Sequence, residues 1–329
     1  PTGEDHLGAT DNSNNTNYTV DFGFYKLSVG DLVWNDINNN GQVDSGEPVL
    51  PNVPVALLDN SGNVISTTTT NSSGLYTFTG LISGTYFISV TPPANYVSST
   101  GQDMTDGNNN HDHGTPNGNA VTSQPFALTP GSESTLNNAT GATTNPNLDF
   151  GLWQPLELGN RVWYDADNGG DLDSGETGLA GVKLTLLEGS GNPVTSTVTG
   201  LPITTTTDAG GYYTFTNLIS GTYQVWVDAS NFQTGGTLQA YLSSTPTEAN
   251  PNSDVDNNDN GLDPASNAAY LSNGVFSGLV TLSVGNEPTN ETNESSTGLA
   301  DDNSNLSVDF GFELRDRGDL PDAATATNS

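Results

Sequence analysis

Gly30-Asp31-Leu32-Val33-Trp34-Asn35 runs without a break into Asp36-Ile37-Asn38-Asn39-Asn40-Gly41-Gln42-Val43-Asp44-Ser45-Gly46-Glu47, a short apolar run feeding a polar loop. Counted from Asp36, oxygen-bearing side chains fall at positions 1, 3, 5, 7, 9 and 12, with glycine at 6. That is the spacing of a calcium loop, in which alternate residues turn inward and the glycine permits a sharp bend. The pattern returns 129 residues later as Asp165, Asp167, Gly170, Asp171, Asp173 and Glu176, behind Val162-Trp163 as the first copy stands behind Val33-Trp34. Two copies in register mark an internal repeat.

Ca2+ takes six to eight hard oxygens, roughly 2.3–2.6 Å away. In the first loop Asp36, Asn38, Asn40 and Asp44 supply side chains, Gln42 its backbone carbonyl, and Glu47 a bidentate carboxylate. In the second, Asp165, Asp167, Asp171, Asp173 and Glu176 are the candidates; Gly169 at position 5 has no side chain, so a water or Asp171 must fill in. Five carboxylates there against three in the first loop offset the missing ligand electrostatically. Strands rather than helices flank both loops, which argues against an opening calcium sensor.

A second acidic cluster lies further on in each repeat: Asp254, Asp256, Asn258, Asp259, Asn260 and Asp263 in one, Asp103, Asp106, Asn108, Asn110 and Asp112 in the other. Alternating Asp and Asn in a loop ending in Gly suits Ca2+, and equally suits a solvated acidic loop. His111 and His113 form a His-x-His pair with no third ligand in view. Asp149 and Asp309 either complete a metal site or hydrogen-bond a turn.

Lys and Arg number 5 against 38 Asp and Glu, for a net charge of −33 over 329 residues. Nucleic acid and acidic membrane surfaces are repelled, and cations are the natural partners. The same charge repels itself, so the fold is expected to depend on calcium. With no cysteine, thiol chemistry and disulfides are excluded. No apolar run reaches the roughly 18 residues of a spanning helix, and Pro1 does not open a signal peptide, so the chain is expected to start inside a longer protein. Glycosylation sequons stand at Asn14, Asn17, Asn71, Asn138, Asn290, Asn293 and Asn305, in a chain so rich in Asn, Ser and Thr that several arise by chance.

Asp-Phe-Gly occurs at 21–23, 149–151 and 309–311, each time after an Asn-rich stretch and a short apolar alternation. Read as the last strand of successive modules, these motifs divide the chain into residues 1–24, a terminal strand of a preceding module or a donor strand; 25–154 and 155–314, two complete modules; and 315–329, a linker or the start of another module. Gly74 to Thr79 recurs as Gly211 to Thr216, and both continue through Leu-Ile-Ser-Gly-Thr-Tyr. The second module carries an insertion before Thr207 and a larger one between Ser230 and Asp309. Strands are predicted at Leu32–Trp34, Val53–Leu58, Val64–Thr70, Leu75–Thr79, Thr85–Val90, Val121–Leu128 and Leu148–Leu152, with no sustained helical periodicity. Seven short runs with Gly, Pro, Asn and Ser at the joints describe an all-β sandwich. The paired aromatics Trp34 and Trp163, Tyr76 and Tyr213, Phe78 and Phe215, Tyr86 and Tyr223 read as core.

The order Gly-Asp-x-Val-Trp, calcium loop, Val-x-Val-x-Leu-Leu, Gly-x-Tyr-x-Phe, Gly-x-Tyr, Asp-Phe-Gly resembles the B-type repeats of serine-aspartate repeat surface proteins, relatives of the collagen-adhesin B domain, over residues 28–314. The resemblance implies tandem calcium-rigidified, transthyretin-like seven-stranded (Ig-like) sandwiches forming a stalk on extracellular, cell-surface proteins. Catalysis finds no support: there is no Cys nucleophile, the three His sit in Asn-rich loops, and the carboxylates have metal-like spacing. An intramolecular Lys–Asn crosslink, known from a related module type, would have to use Lys26 or Lys183, which do not occupy equivalent positions. Arg317-Gly318-Asp319 is read as a coincidental integrin-type tripeptide. The expected function is a structural calcium-binding segment of a stalk or filament, associating with itself or with neighbouring modules, possible strand addition by residues 1–24 included. The alternative is an adhesin domain gripping a host or carbohydrate partner.

Overall fold

The computed structural model describes residues 26–101, 110–131, 143–196, 199–247, 250–252, 257–262, 264, 266–291 and 298–315. The first part of the chain forms β1 (Leu27–Asn35), β2 (Pro54–Asp59), β3 (Val64–Thr69), β4 (Leu75–Leu81), β5 (Gly84–Val90), β6 (Val97–Ser98), β7 (Gly114–Asn117), β8 (Ala120–Ser123), β9 (Phe126–Leu128), β10 (Thr144–Asn145) and β11 (Phe150–Trp153). After Gln154 and Pro155 come β12 (Leu156–Tyr164), β13 (Thr177–Gly178), β14 (Lys183–Glu188), β15 (Thr204–Thr206), β16 (Tyr212–Leu218) and β17 (Gly221–Val227). They are followed by β18 (Tyr241–Ser243), β19 (Gly261–Leu262), β20 (Val275–Ser277), β21 (Val280–Leu282), β22 (Ser304–Asn305) and β23 (Phe310–Leu314). The described residues are all-β apart from α1 (Asn267–Asn273) and two single-turn 3-10 segments.

Strands β1–β11 make two sheets. In one, β1 pairs antiparallel with β4 and parallel with β10 and β11, and β6 closes the far edge. The other runs β3-β2-β5-β8-β7, with β9 also on β5. The second unit repeats the plan: β12 takes the place of β1, with β16, β22 and β23 as partners, opposite a sheet β15-β14-β17-β20-β19. Alternation turns one face of each strand inward, so Val29, Val55, Ile88 and Phe150 meet in one core and Leu158, Val225, Phe215 and Phe310 in another. Burying such side chains contributes about 1.5–3 kcal/mol each.

The paired aromatics are core residues, and two of them also tie their strands to the segment leading into the last strand of the unit. Tyr76 Oη donates to Leu148 O (2.7 Å) and Tyr213 Oη to Val308 O (2.7 Å). β1 begins at Leu27 rather than Leu32, because its ladder with β4 extends back that far. The expected run Val121–Leu128 is divided at Gln124-Pro125 into β8 and β9, since proline offers no N–H to continue a ladder. The second unit's early insertion is the excursion after β14, where Leu187 and Thr195 bridge Pro193 and Pro202. The larger one holds α1, a helix too short to show a period in sequence.

The Asp-Phe-Gly strands are β11 and β23. Their glycines are required by close approach: a methyl on Gly151 would lie 3.0 Å from the Trp34 ring and collide with Ser99 Oγ, and one on Gly311 would lie 3.0 Å from Trp163 and collide with Ser244 Oγ. Each tryptophan stands just ahead of a calcium-type loop. The motif therefore seats the residue from which the loop departs.

Candidate metal centre

Each loop leaves the end of a strand held on both sides, β1 between β4 and β11, β12 between β16 and β23. Its first residue, Asp36 or Asp165, is fully buried. Asp36 accepts from the N–H groups of Asn40 (3.1 Å) and Gly41 (2.7 Å); Asp165 accepts from Gly169 (3.2 Å) and Gly170 (2.9 Å). Gly41 and Gly170 take left-handed φ values of 73° and 79°, the conformation the bend demands. The position-12 glutamates fold back across their loops. Glu47 accepts from Ile37 N (3.0 Å) and Asp44 N (3.0 Å), Glu176 from Ala166 N (2.7 Å) and Asp173 N (2.9 Å).

In the first loop Asn38 Nδ2 (2.9 Å) and Asn40 Nδ2 (2.8 Å) both donate to Asp44 Oδ2, so three expected ligands are drawn together, with Gln42 on a bridge to His111. In the second loop oxygens of Asp165, Asp167 and Glu176 lie within 4.8 Å of one another. Among the described residues the ion pair found is Lys183–Asp228 at 3.4 Å, so no basic side chain neutralises this trio. Converging hard oxygens without a counter-charge fit a divalent cation of the calcium type. Asp171 bridges to Asn258 through the backbone.

The second acidic cluster is partly structural. Asp112 is buried and accepts from Gly114 N (2.9 Å), Gly151 N (3.1 Å) and Ser99 Oγ (3.2 Å); burial pushes its carboxyl up to about 7. Asp259 is its counterpart, accepting from Gly261 N (2.8 Å) and Ser244 Oγ (3.1 Å). Asp254, Asp256, Asp263, Asp103, Asp106 and Asn108 lie outside the described residues, as do residues 1–24 and the Arg317 tripeptide. Asp112 N donates to Gly41 O (2.8 Å) and Asp259 N to Gly170 O (2.7 Å), which staples this segment to the calcium-type loop. His113 is buried and its Nδ1 accepts from Asp149 N (3.2 Å), while His111 sits on the Gln42 bridge, so the two imidazoles serve different contacts. Both carboxylate oxygens of Asp149 are engaged, by Leu32 N (3.0 Å) and Asn110 N (2.7 Å); those of Asp309 by Arg161 N (2.9 Å) and Asn257 N (3.0 Å). Turn support is thus their visible role. Among the sequons, Asn305 is buried and donates to Glu287 Oε2 (3.3 Å), whereas Asn71 and Asn290 are exposed.

The loop's position 4 was not singled out in the sequence. Asn39 and Asn168 both take left-handed φ (51° and 60°), and their Oδ1 atoms accept from Thr100 N (2.8 Å) and Thr245 N (2.7 Å). The signal was an asparagine at the same place in both copies, next to the glycine-bearing bend.

The family model of the SdrD B-like domain matches residues 27–151 and again residues 156–275. The chain belongs to the SdrD B-like domain family. Its second match ends at the first residue of β20, ahead of β21–β23. Serine-aspartate repeat-containing protein F of Staphylococcus epidermidis is 36% identical over 254 residues, 76% of this chain and 13% of that protein. Serine-aspartate repeat-containing proteins E and D of Staphylococcus aureus are 36% identical over 212 residues and 34% over 221, covering 63% and 64% of this chain. This SdrD B-like chain therefore spans about 13–16% of the length of these relatives. Among solved structures, the minor pilin of Streptococcus agalactiae covers 90% of the chain, and the chain 99% of it, at 12% identity and a TM-score of 0.28. The shaft pilin SpaA of Lactobacillus rhamnosus GG gives 90%, 100%, 13% and 0.26.

Proposed function

We propose that residues 25–154 and 155–314 are two tandem modules of an extracellular stalk, stiffened by Ca2+ held in loops 36–47 and 165–176. The protein works at the cell surface and is structural, not an enzyme. The observation that carries the calcium reading is the convergence of Asp165, Asp167 and Glu176 without a basic partner among the described residues, at the end of a strand whose register is fixed on both sides. Asp36, Asn38, Asn40, Gln42, Asp44 and Glu47 would hold the ion in the first module, and Asp171 and Asp173 would join the trio in the second. Bound calcium would supply positive charge that ties the loop ends together; it would do no chemistry. Because it binds the folded loop alone, it stabilises by mass action. Thermal unfolding in millimolar CaCl2 is expected at clearly higher temperature than in excess EGTA, and coincident curves would refute the reading. Strand addition by residues 1–24 would have to complete another module, since the places beside β1 and β12 are filled by β11 and β23.

A second reading, that the second module also grips a glycan, has one observation in its favour. Across its outer face Trp226 stacks on Phe276 (centroids 5.9 Å apart, planes 10° apart), and Leu262, 41% exposed, follows in register. The equivalent row in the first module is Ser89, Thr122 and Thr115. Aromatic side chains supply apolar area at low entropic cost. Screening neutral oligosaccharides by tryptophan fluorescence should find a hit that Trp226→Ala abolishes; a screen without hits removes this reading.

A further inference from the structure

The two modules present the same hairpin tip, Leu-Ile-Ser-Gly, in different surroundings. In the second module, Leu218 is 3% exposed and Ile219 half-buried. Tip residues 217–221 line a cleft of about 730 Å3 that they share with Val194 and Ile203 of the second module's own early insertion and with Asn38, Asn39 and Thr100 of the first module. Asn39 and Asn217 also border a hollow over Trp153, the buried last residue of β11, whose Nε1 donates to Ser98 O (3.1 Å). In the first module the same tip is bare: Leu81 is half-buried, and Ile82, at 75%, is the most exposed large apolar side chain among the described residues. The facing wall also has a counterpart. Asp167, Asn168 and Thr245 occupy in the second module the places of Asn38, Asn39 and Thr100, and the Asn168–Thr245 hydrogen bond repeats that of Asn39 with Thr100.

We propose that the Leu81–Ile82 tip is a docking surface for the calcium-loop end of another SdrD B-like module of the same polypeptide, of the kind built here by Asp167, Asn168 and Thr245. The occupant follows from continuity with the joint already present: an identical tip in the second module faces the loop end of the first across a shared cleft. The sequence ahead of the bare tip agrees, since Asp21-Phe22-Gly23-Phe24 repeats the last-strand motif of Asp309-Phe310-Gly311-Phe312 and leads directly to β1. The inference rests on the tandem-module reading, and it makes each calcium-type loop one wall of a joint.

The chain has no cysteine, so single introduced thiols report cleanly. In the full chain, Ile82→Cys is expected to react with a bulky maleimide several-fold faster than Ile219→Cys, each variant first checked for an unchanged unfolding profile. In a longer chain, residues 1–312 continued directly by residues 25–329, the splice recreates the natural Asp-Phe-Gly-Phe-Tyr-Lys sequence. There Ile82→Cys in the second copy should react as slowly as Ile219→Cys, and in the first copy should stay fast. Equal rates for both copies of Ile82→Cys, with Ile219→Cys still protected, would overturn the docking proposal alone. Equal rates for Ile82→Cys and Ile219→Cys in the original chain would overturn the joint itself, and the tandem arrangement with it. Excess EGTA should speed Ile219→Cys if calcium shapes the wall.

Discussion

Asp31 and Asp149 hydrogen-bond to one another across β1 and the turn into β11, and burial raises both carboxyls, Asp31 to about 6 and Asp149 to about 8. Asp112, lifted to about 7 for the same reason, lies on the neighbouring segment. A carboxyl raised in the folded state favours folding in acid: the contribution is whole below the ordinary value of 3.8 and fades as pH climbs through 6, 7 and 8. Metal-free, the first module should therefore lose stability between pH 4 and pH 8. The second module has Asn160 where the first has Asp31, and an amide cannot ionise. Asp31→Asn should flatten the pH profile of the first module and raise its urea midpoint at pH 8 by the equivalent of about 1 kcal/mol, a figure reduced for the partial exposure of Asp31. An unchanged profile would show that the pair stays solvated. None of this was legible in the sequence, where Asp31 was one acid among 38 acidic residues and burial could not be read.

The calcium-type loops were legible because their information lies in spacing, and the β-runs because theirs lies in alternation. What escaped notice was set by neighbours in space. β6, β7 and β10 have two to four residues each and exist because a partner strand offers a ladder. Asp112 and Asp259 read as calcium ligands or, equally, solvated loop acids, yet each is buried as a clamp on a strand end. The loops themselves differ in charge, and affinity in such sites follows ligand charge. Titration with Tb3+, followed by sensitised emission, should show the 165–176 loop filling before the 36–47 loop. Glu176→Gln should weaken the tighter phase and Glu47→Gln the weaker one, each by at least the roughly 10–100-fold that loss of a supporting partner costs a metal site. Loss of the same phase in both variants would mean that the assignment of phases to loops is wrong.

For the whole molecule the dominant fact is a net charge of −33. Among the described residues it is relieved by one ion pair, Lys183–Asp228, whose lysine is half-exposed. Without calcium, raising NaCl from about 10 mM to 1 M shortens the screening length from roughly 30 to 3 Å and should raise the unfolding temperature. With calcium bound the same salt step should do less, because the densest carboxylate groups are already neutralised. If salt destabilised the metal-free chain, self-repulsion would not be what limits it. The covalent path through the molecule has a mechanical consequence. Gln154 and Pro155 alone separate β11 from β12, and within each unit the entering strand lies parallel to the leaving one, Val33 to Asn35 beside Phe150 to Leu152 and Val162 to Tyr164 beside Phe310 to Phe312. A pull on the two ends of a unit draws these neighbours in opposite directions along their length. Their hydrogen bonds are then loaded together, in shear, instead of being opened one at a time like a zip.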